Sequence, residues 1–291
     1  MPLIERVLAA TDGSEYGAKA VQTGAALSRR AGASFEVVTI VEVLMLPPVA
    51  MAPPAEALEY DDAFTTEALR KAEAQARDAD QAEAPIHVYS GFPAPLISRV
   101  ADERAADLIV LGAHPHPAVA RFLVGNTAER VIRTARRPVL VAIEPRTEPF
   151  RRILVAVDLS TQSRRVLRAA AAIAKADGAE LRALYAREPL PPMLLESGLF
   201  VEESYPGLGS DDLAESIAVA ELRDIRVEPR VREGRAGDAV LEETAEWDAD
   251  LVVIGSHGFG FFERLLLGST SIHILRHSRR ATVIVPPIEG E

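Results

Sequence analysis

Two groups of residues in this chain have types and spacings that could do chemistry. Gly255, Gly258 and Gly268-Ser269 stand in the spacing G-x2-G-x9-G-S, inside Val253-Ile254-Gly255-Ser256-His257-Gly258-Phe259-Gly260 and the run that follows it. Glycines there permit positive φ and a row of inward-pointing amides, the concavity that holds phosphate oxygens. Gly268 sets Ser269 and Thr270 at a helix start, where unpaired N–H groups favour an anion. The competing reading is a glycine-rich surface turn followed by an ordinary cap. The second group is Asp158 with Leu159-Ser160, just after the apolar run Ile153–Val157. A carboxylate at that point can accept from a ribose hydroxyl or an adenine amino group, or it can simply cap the next helix. On that residue alone both readings stay open.

These groups need elements to hold them, and the chain supplies the elements twice. Arg6-Val7-Leu8-Ala9-Ala10-Thr11-Asp12 matches Arg152-Ile153-Leu154-Val155-Ala156-Val157-Asp158, and Ala106-Asp107-Leu108-Ile109-Val110-Leu111-Gly112 matches Ala249-Asp250-Leu251-Val252-Val253-Ile254-Gly255. Arg136-Arg137-Pro138-Val139 matches Arg279-Arg280-Ala281-Thr282, so three blocks recur in order at an offset of about 143 to 146 residues. The polar stretch Glu144–Pro149 is the natural linker, which gives domains of 1–145 and 150–291. In the first half, strands are predicted at Val7–Ala10, Ser34–Val41, Ile86–Tyr89, Leu108–Leu111 and Val139–Ile143. Helices are predicted at Tyr16–Arg30, Asp62–Ala79, Ala94–Arg104 and Thr127–Ala135. Continuous apolar strands between helices indicate a parallel sheet covered on both faces. The fold class is therefore α/β, two doubly wound, Rossmann-like parallel sheets of five strands each. A ligand crevice in such a sheet lies beyond the carboxyl ends of the strands where their order reverses. If the first and fourth strands flank that point, Asp158 and Gly255 lie on its rim, as do Asp12 and Gly112.

Composition narrows the function classes. The chain has 291 residues, 48% hydrophobic, with a net charge of −11 and no cysteine. Two domains of ordinary size fit that length. The acidic balance argues against a broad nucleic-acid surface, and the lack of cysteine removes disulfides, thiolate catalysis and cysteine-based zinc. Val7–Ala10 is too short for the apolar core of a signal peptide, and no run approaches the roughly 18 residues that span a bilayer. A soluble cytoplasmic protein is expected, with no nucleic acid and no membrane insertion.

A strand ending in Asp, followed much later by G-x2-G-x9-G-[ST] between the fourth and fifth strands, resembles the universal stress protein family. The resemblance extends over nearly the whole chain as two tandem domains, and includes Gly91-Phe92-Pro93, the Ala-Asp-Leu strands and Val285-Pro286. It implies an adenine nucleotide alpha hydrolase-like fold and a bound adenine nucleotide, ATP with or without Mg²⁺. The implied contacts are Asp158, Ala186 or its neighbour Tyr185 at the end of the second strand, Gly255, Ser256, His257, Gly258, Gly268, Ser269 and Thr270. The weaker first-half equivalents are Asp12, Ile40, Gly112, Gly125, Asn126 and Thr127. The first half departs from the pattern: Pro115 stands where Gly258 does, and Gly125-Asn126 replaces Gly268-Ser269. Pro115 and Pro117 remove backbone donors and fix φ, so the first site is expected to be weak or empty, or to hold a different ligand with His114 and His116. The resemblance also implies pairing of the two domains through Val139–Ile143 and Val283–Val285, an intramolecular pseudo-dimer. Whether two chains then form a homodimer stays open.

No enzyme constellation accompanies the loop. Gly268-Ser269-Thr270 lacks the Lys of a P-loop, a single carboxylate such as Asp158 or Glu233 is a poor metal centre, and His273 and His277 have no third ligand. The expected function is a nucleotide-binding regulator rather than an enzyme. A nucleotide-independent interaction module and a slow ATP hydrolase are the alternatives. Proline-rich inserts after the second strand of each half, Leu46–Pro54 and Pro189–Gly207, are lids, partner surfaces or plain loops.

Overall fold

The computed structural model describes residues 4–42, 55–115, 122–123, 126–188, 210–220, 222, 225–256 and 267–287. Both proline-rich inserts, together with Gly125, His257 and Gly258, lie outside the described residues. The chain divides into two compact units, one holding Ile4–His114 and Val124–Glu148, the other Pro149–Glu291 together with Met1–Leu3 and Pro115–Leu123.

The first unit runs β1 (Arg6–Thr11), α1 (Glu15–Ala31), β2 (Ser34–Val41), α2 (Ala55–Asp78), β3 (Ile86–Ser90), α3 (Pro93–Glu103) and β4 (Leu108–Gly112). In chain order the two-residue strands β5 (His114–Pro115) and β6 (Phe122–Leu123) come next, with Pro115, Phe122 and Leu123 falling to the other unit, and α4 (Asn126–Thr134) and β7 (Val139–Ala142) complete the first. β1 pairs in parallel with both β2 and β4, while β3 extends from β2 and β7 from β4. The predicted strand order reversal therefore falls between β1 and β4. Strand limits agree with the sequence reading to within a residue or so, whereas α2 begins seven residues earlier than predicted, directly after Pro54. Proline disfavours helix for the residue before it but is no obstacle to a helix starting just after it.

The second unit repeats the plan. It contains β8 (Arg152–Val157), α5 (Ser163–Asp177), β9 (Glu180–Arg187), α6 (Ser210–Val219), β10 (Val227–Glu233), α7 (Ala236–Glu246), β11 (Leu251–Gly255), α8 (Ser269–His277) and β12 (Ala281–Val285). β8 lies between β9 and β11, with β10 beyond β9 and β12 beyond β11, all parallel. Val7, Leu8, Ala9, Ile153, Leu154 and Val155 are buried on both faces of their sheets, as helices on each side require.

The repeated Ala-Asp-Leu block owes its aspartate to packing at the opposite end from the crevice. Asp107 Oδ2 accepts from the N–H groups of Glu5 (2.9 Å) and Arg6 (3.0 Å) at the entry to β1. Asp250 takes the N–H groups of Arg151 (2.9 Å) and Arg152 (3.1 Å) at the entry to β8. Each carboxylate thus fastens the fourth strand of its sheet to the start of the first.

On the first sheet, half-buried Glu36 of β2 receives Arg104 through two hydrogen bonds (2.8 and 2.9 Å) and faces His87 Nε2 at 2.7 Å. Burial pushes the Glu36 carboxyl up, but the Arg104 and His87 hydrogen bonds outweigh it and hold the carboxyl below its usual 4.5. A carboxylate depressed on folding contributes stability that is complete above its unfolded value and is lost as pH falls through the folded one. Melting temperature is therefore expected to decline below about pH 4.5, and Glu36→Gln should flatten that limb. Identical acid limbs in thermal melts of both proteins would show that this cluster does not set it.

Candidate functional site

The second crevice is assembled at the carboxyl ends of β8, β9 and β11. Val157 ends β8 and lies opposite Tyr185 of β9, so Asp158 emerges beside Tyr185 and Ala186. Leu159 follows with φ +62°, at the position where the first unit has Gly13 at +77°. A left-handed leucine costs roughly 1–2 kcal/mol, and the turn it makes folds Ser160 back onto the aspartate. Asp158 Oδ1 accepts from Ser160 N–H (3.1 Å), Ser160 Oγ (2.6 Å) and Ser163 Oγ (2.9 Å). Asp158 Oδ2 is buried and has no hydrogen-bond partner among the described residues. Burial pushes the Tyr185 phenol up, and the nearby carboxylates of Asp212, Asp158 and Glu188 push the same way against Arg187.

Across the crevice, β11 and α8 are fastened together. Ser256 N–H donates to the Val285 carbonyl (2.9 Å), Gly268 N–H to the Ser256 carbonyl (2.9 Å), and Ser271 Oγ to the Gly255 carbonyl (2.8 Å). These bonds fix both ends of the glycine-rich loop. α8 opens at Ser269 with Gly268 as its N-cap and no side-chain cap bond, so its first turn presents Ser269 and Thr270 at the rim. Asp158, Tyr185, Ala186, Gly255, Ser256, Gly268, Ser269 and Thr270 thus fall at the carboxyl end of one sheet. The bracing serines, Ser160, Ser163 and Ser271, were not assigned a site role from sequence. The signal was present in part, since Asp-x-Ser is the pattern of an Asx turn.

The first crevice is built differently. Asp12 is exposed and its Oδ1 takes the N–H of Ser14 (2.9 Å) and its hydroxyl. Thr11 Oγ1 accepts from Gly13 N–H (2.9 Å) and donates to Gln75 Oε1 (2.6 Å), while Gln75 Nε2 donates to the Ser14 carbonyl (2.9 Å). The side chain of Lys71 lies against Gly13. Groups from α2 therefore already engage the β1–α1 turn. Gly112 has a packing reason of its own, because a Cβ there would stand 2.0 Å from the Tyr16 carbonyl oxygen. Ile40 is half-buried near the end of β2, and Asn126 and Thr127 are exposed at the start of α4.

Among the described residues no group of three His, Asp or Glu side chains could hold a metal ion. His273 Nε2 meets Asp238 Oδ1 at 3.0 Å and its ring lies 4.4 Å from that of His277, whose Nδ1 is 2.7 Å from the His273 carbonyl. Glu233 pairs with Arg187 at 2.6 Å. Among the described residues no helix is long and apolar enough to cross a membrane.

Fold and rim together define a duplicated doubly wound α/β protein with an anion-compatible helix start and, beside it, a carboxylate with one buried, unpaired oxygen among the described residues. The chain belongs to the universal stress protein family, whose profile matches residues 4–142 and again 149–286. A universal stress protein of Mycobacterium tuberculosis is 27% identical over 287 residues, 94% of this chain and 96% of that one. A second from the same organism is 32% identical over 221 residues, 72% of each chain. In fold, the chain resembles a universal stress protein from Archaeoglobus fulgidus with a TM-score of 0.75, covering 97% of this chain and 98% of the other at 22% identity.

Proposed function

We propose that the protein is a cytoplasmic regulator of the universal stress class that binds an adenine nucleotide, ATP in the first instance, in its second crevice. The observation that carries this reading is the buried Oδ2 of Asp158, which has no partner among the described residues. Leaving a buried acceptor unpaired costs about 1–3 kcal/mol, more if it is charged, and a donor on a ligand removes that cost. A ribose hydroxyl or an adenine amino group supplies such a donor. The loop from Gly255 through His257 and Gly258 to Gly268, with Ser269 and Thr270, would take the phosphates, and Ala186 would border the base. Mg²⁺ would come with the phosphates rather than from a protein cage. Nucleotide would act as an effector by preferring one conformation or assembly over another, with hydrolysis slow or absent. Domains 1–145 and 150–291 would pair through their last strands. The first crevice, around Asp12, Ile40, Gly112, Gly125, Asn126 and Thr127, would bind weakly or not at all, since Gln75 already engages its turn.

Calorimetric titration with ATP and Mg²⁺ tests this. The expected result is one site per chain, weakened about 10- to 100-fold in Asp158→Ala and lost in Gly258→Pro and Ser269→Asn, which copy the first half. Two sites would show that Pro115 and Asn126 are tolerated. No binding by folded protein would favour a nucleotide-independent interaction module.

A further inference from the structure

We infer that Ser163 is a positioning residue that aims the Asp158 carboxylate at the ligand, and that its replacement by Gly17 is one reason the two crevices differ. This inference rests on the nucleotide-binding reading of the second crevice.

Two of the three donors on Asp158 Oδ1 come from Ser160, two residues along the same turn, and move with it. The third comes from Ser163, in the first turn of α5 and 1% exposed. Among the described residues only this bond ties the carboxylate to a rigid element. It stops rotation about the last side-chain bond and so keeps Oδ1 occupied and leaves Oδ2 as the unpaired oxygen among the described residues. A carboxylate that could turn would present either oxygen, and part of the binding energy would go into ordering it.

In the first unit the hydroxyl has moved from the helix to the strand. Thr11 takes the place of Val157 and Gly17 that of Ser163. A Cβ on Gly17 would stand 2.2 Å from Thr11 Oγ1 and 3.0 Å from Asp12 Oδ1, so a serine there is incompatible with Thr11. Thr11 directs its hydroxyl to Gln75 rather than to Asp12, and Asp12 stays exposed without a helix-borne brace.

The test is calorimetric titration of the full chain with three probes, each with Mg²⁺: ATP, 2′,3′-dideoxy-ATP, which lacks the ribose hydroxyls, and ITP, which lacks the 6-amino group. Wild type is compared with Ser163→Ala and Ser163→Thr, and thermal melts are recorded for each. Ser163→Ala should weaken ATP about tenfold, Ser163→Thr should restore it to within about threefold, and the effect should vanish for the probe lacking the group that Asp158 receives. That probe also identifies the group. Unchanged ATP affinity in Ser163→Ala, or equal losses for all three probes, overturns the positioning role while leaving the nucleotide reading intact. Failure of wild type to bind any probe overturns that reading, and the positioning role with it.

Discussion

Glu243→Ala is expected to destabilise the second unit by about 3 kcal/mol, the low end of the range for emptying one side of a buried ion pair. Glu243 is 2% exposed and sits among three guanidinium groups, Arg182 at 2.7 Å, Arg232 at 3.0 Å and Arg230 at 3.6 Å. Arg182 also lies over the Trp247 ring at 4.2 Å and pairs with Glu228, while Arg232 pairs with Glu242 and Glu246. Those outer carboxylates are exposed and partly compensate the cations, which places the effect at the low end. Removing the central acceptor still leaves like charges facing one another across a void. Trp247 is the single tryptophan of the chain, so its fluorescence during urea unfolding reports this unit directly. A midpoint shift worth under about 1 kcal/mol would show that the outer pairs, not Glu243, hold β9, β10 and α7 together.

The second large effect is expected for Gly112→Ala, again about 3 kcal/mol, now in the first unit. The added methyl would lie 2.0 Å from the Tyr16 carbonyl oxygen and 2.5 Å from its carbon, and both belong to the backbone of α1. A flexible side chain could turn aside; a helix backbone has to move as a body. Overpacking of this kind costs about 1–3 kcal/mol, occasionally more. Urea unfolding followed by circular dichroism measures it. An unshifted midpoint would mean that α1 relaxes freely and that the glycine is there for another reason. The expected loss is independent of nucleotide, which separates the packing role of Gly112 from a place in a ligand site.

Much of the fold was legible in the sequence because it is written locally. Runs such as Leu108–Leu111 and Leu251–Ile254 are apolar without alternation, which only a strand covered on both faces requires. The recurrence of these runs in the same order identified the duplication, and the strand limits needed little correction. The predicted helix at Asp62–Ala79 is shorter than α2, which begins at Ala55 directly after Pro54.

The site was legible as a set of residues but not as an arrangement. Asp158, Gly255, Gly268 and Ser269 stand out by type and spacing, since an anion needs glycine-rich backbone and a helix start wherever they occur. That Ser163 holds Asp158 through one oxygen and leaves the other unpaired among the described residues depends on how α5 enters beside β8, which no local pattern records. Gln75 lies 64 residues from Thr11 along the chain, and Tyr16 is nearly a hundred from Gly112. The sequence by itself determined the duplication, the α/β alternation and the residue types available at each crevice, because periodicity and backbone freedom act over a few residues. Tertiary structure decided which polar groups are already paired and which one, among the described residues, is buried without a partner, because hydrogen bonds between distant elements depend on how those elements pack.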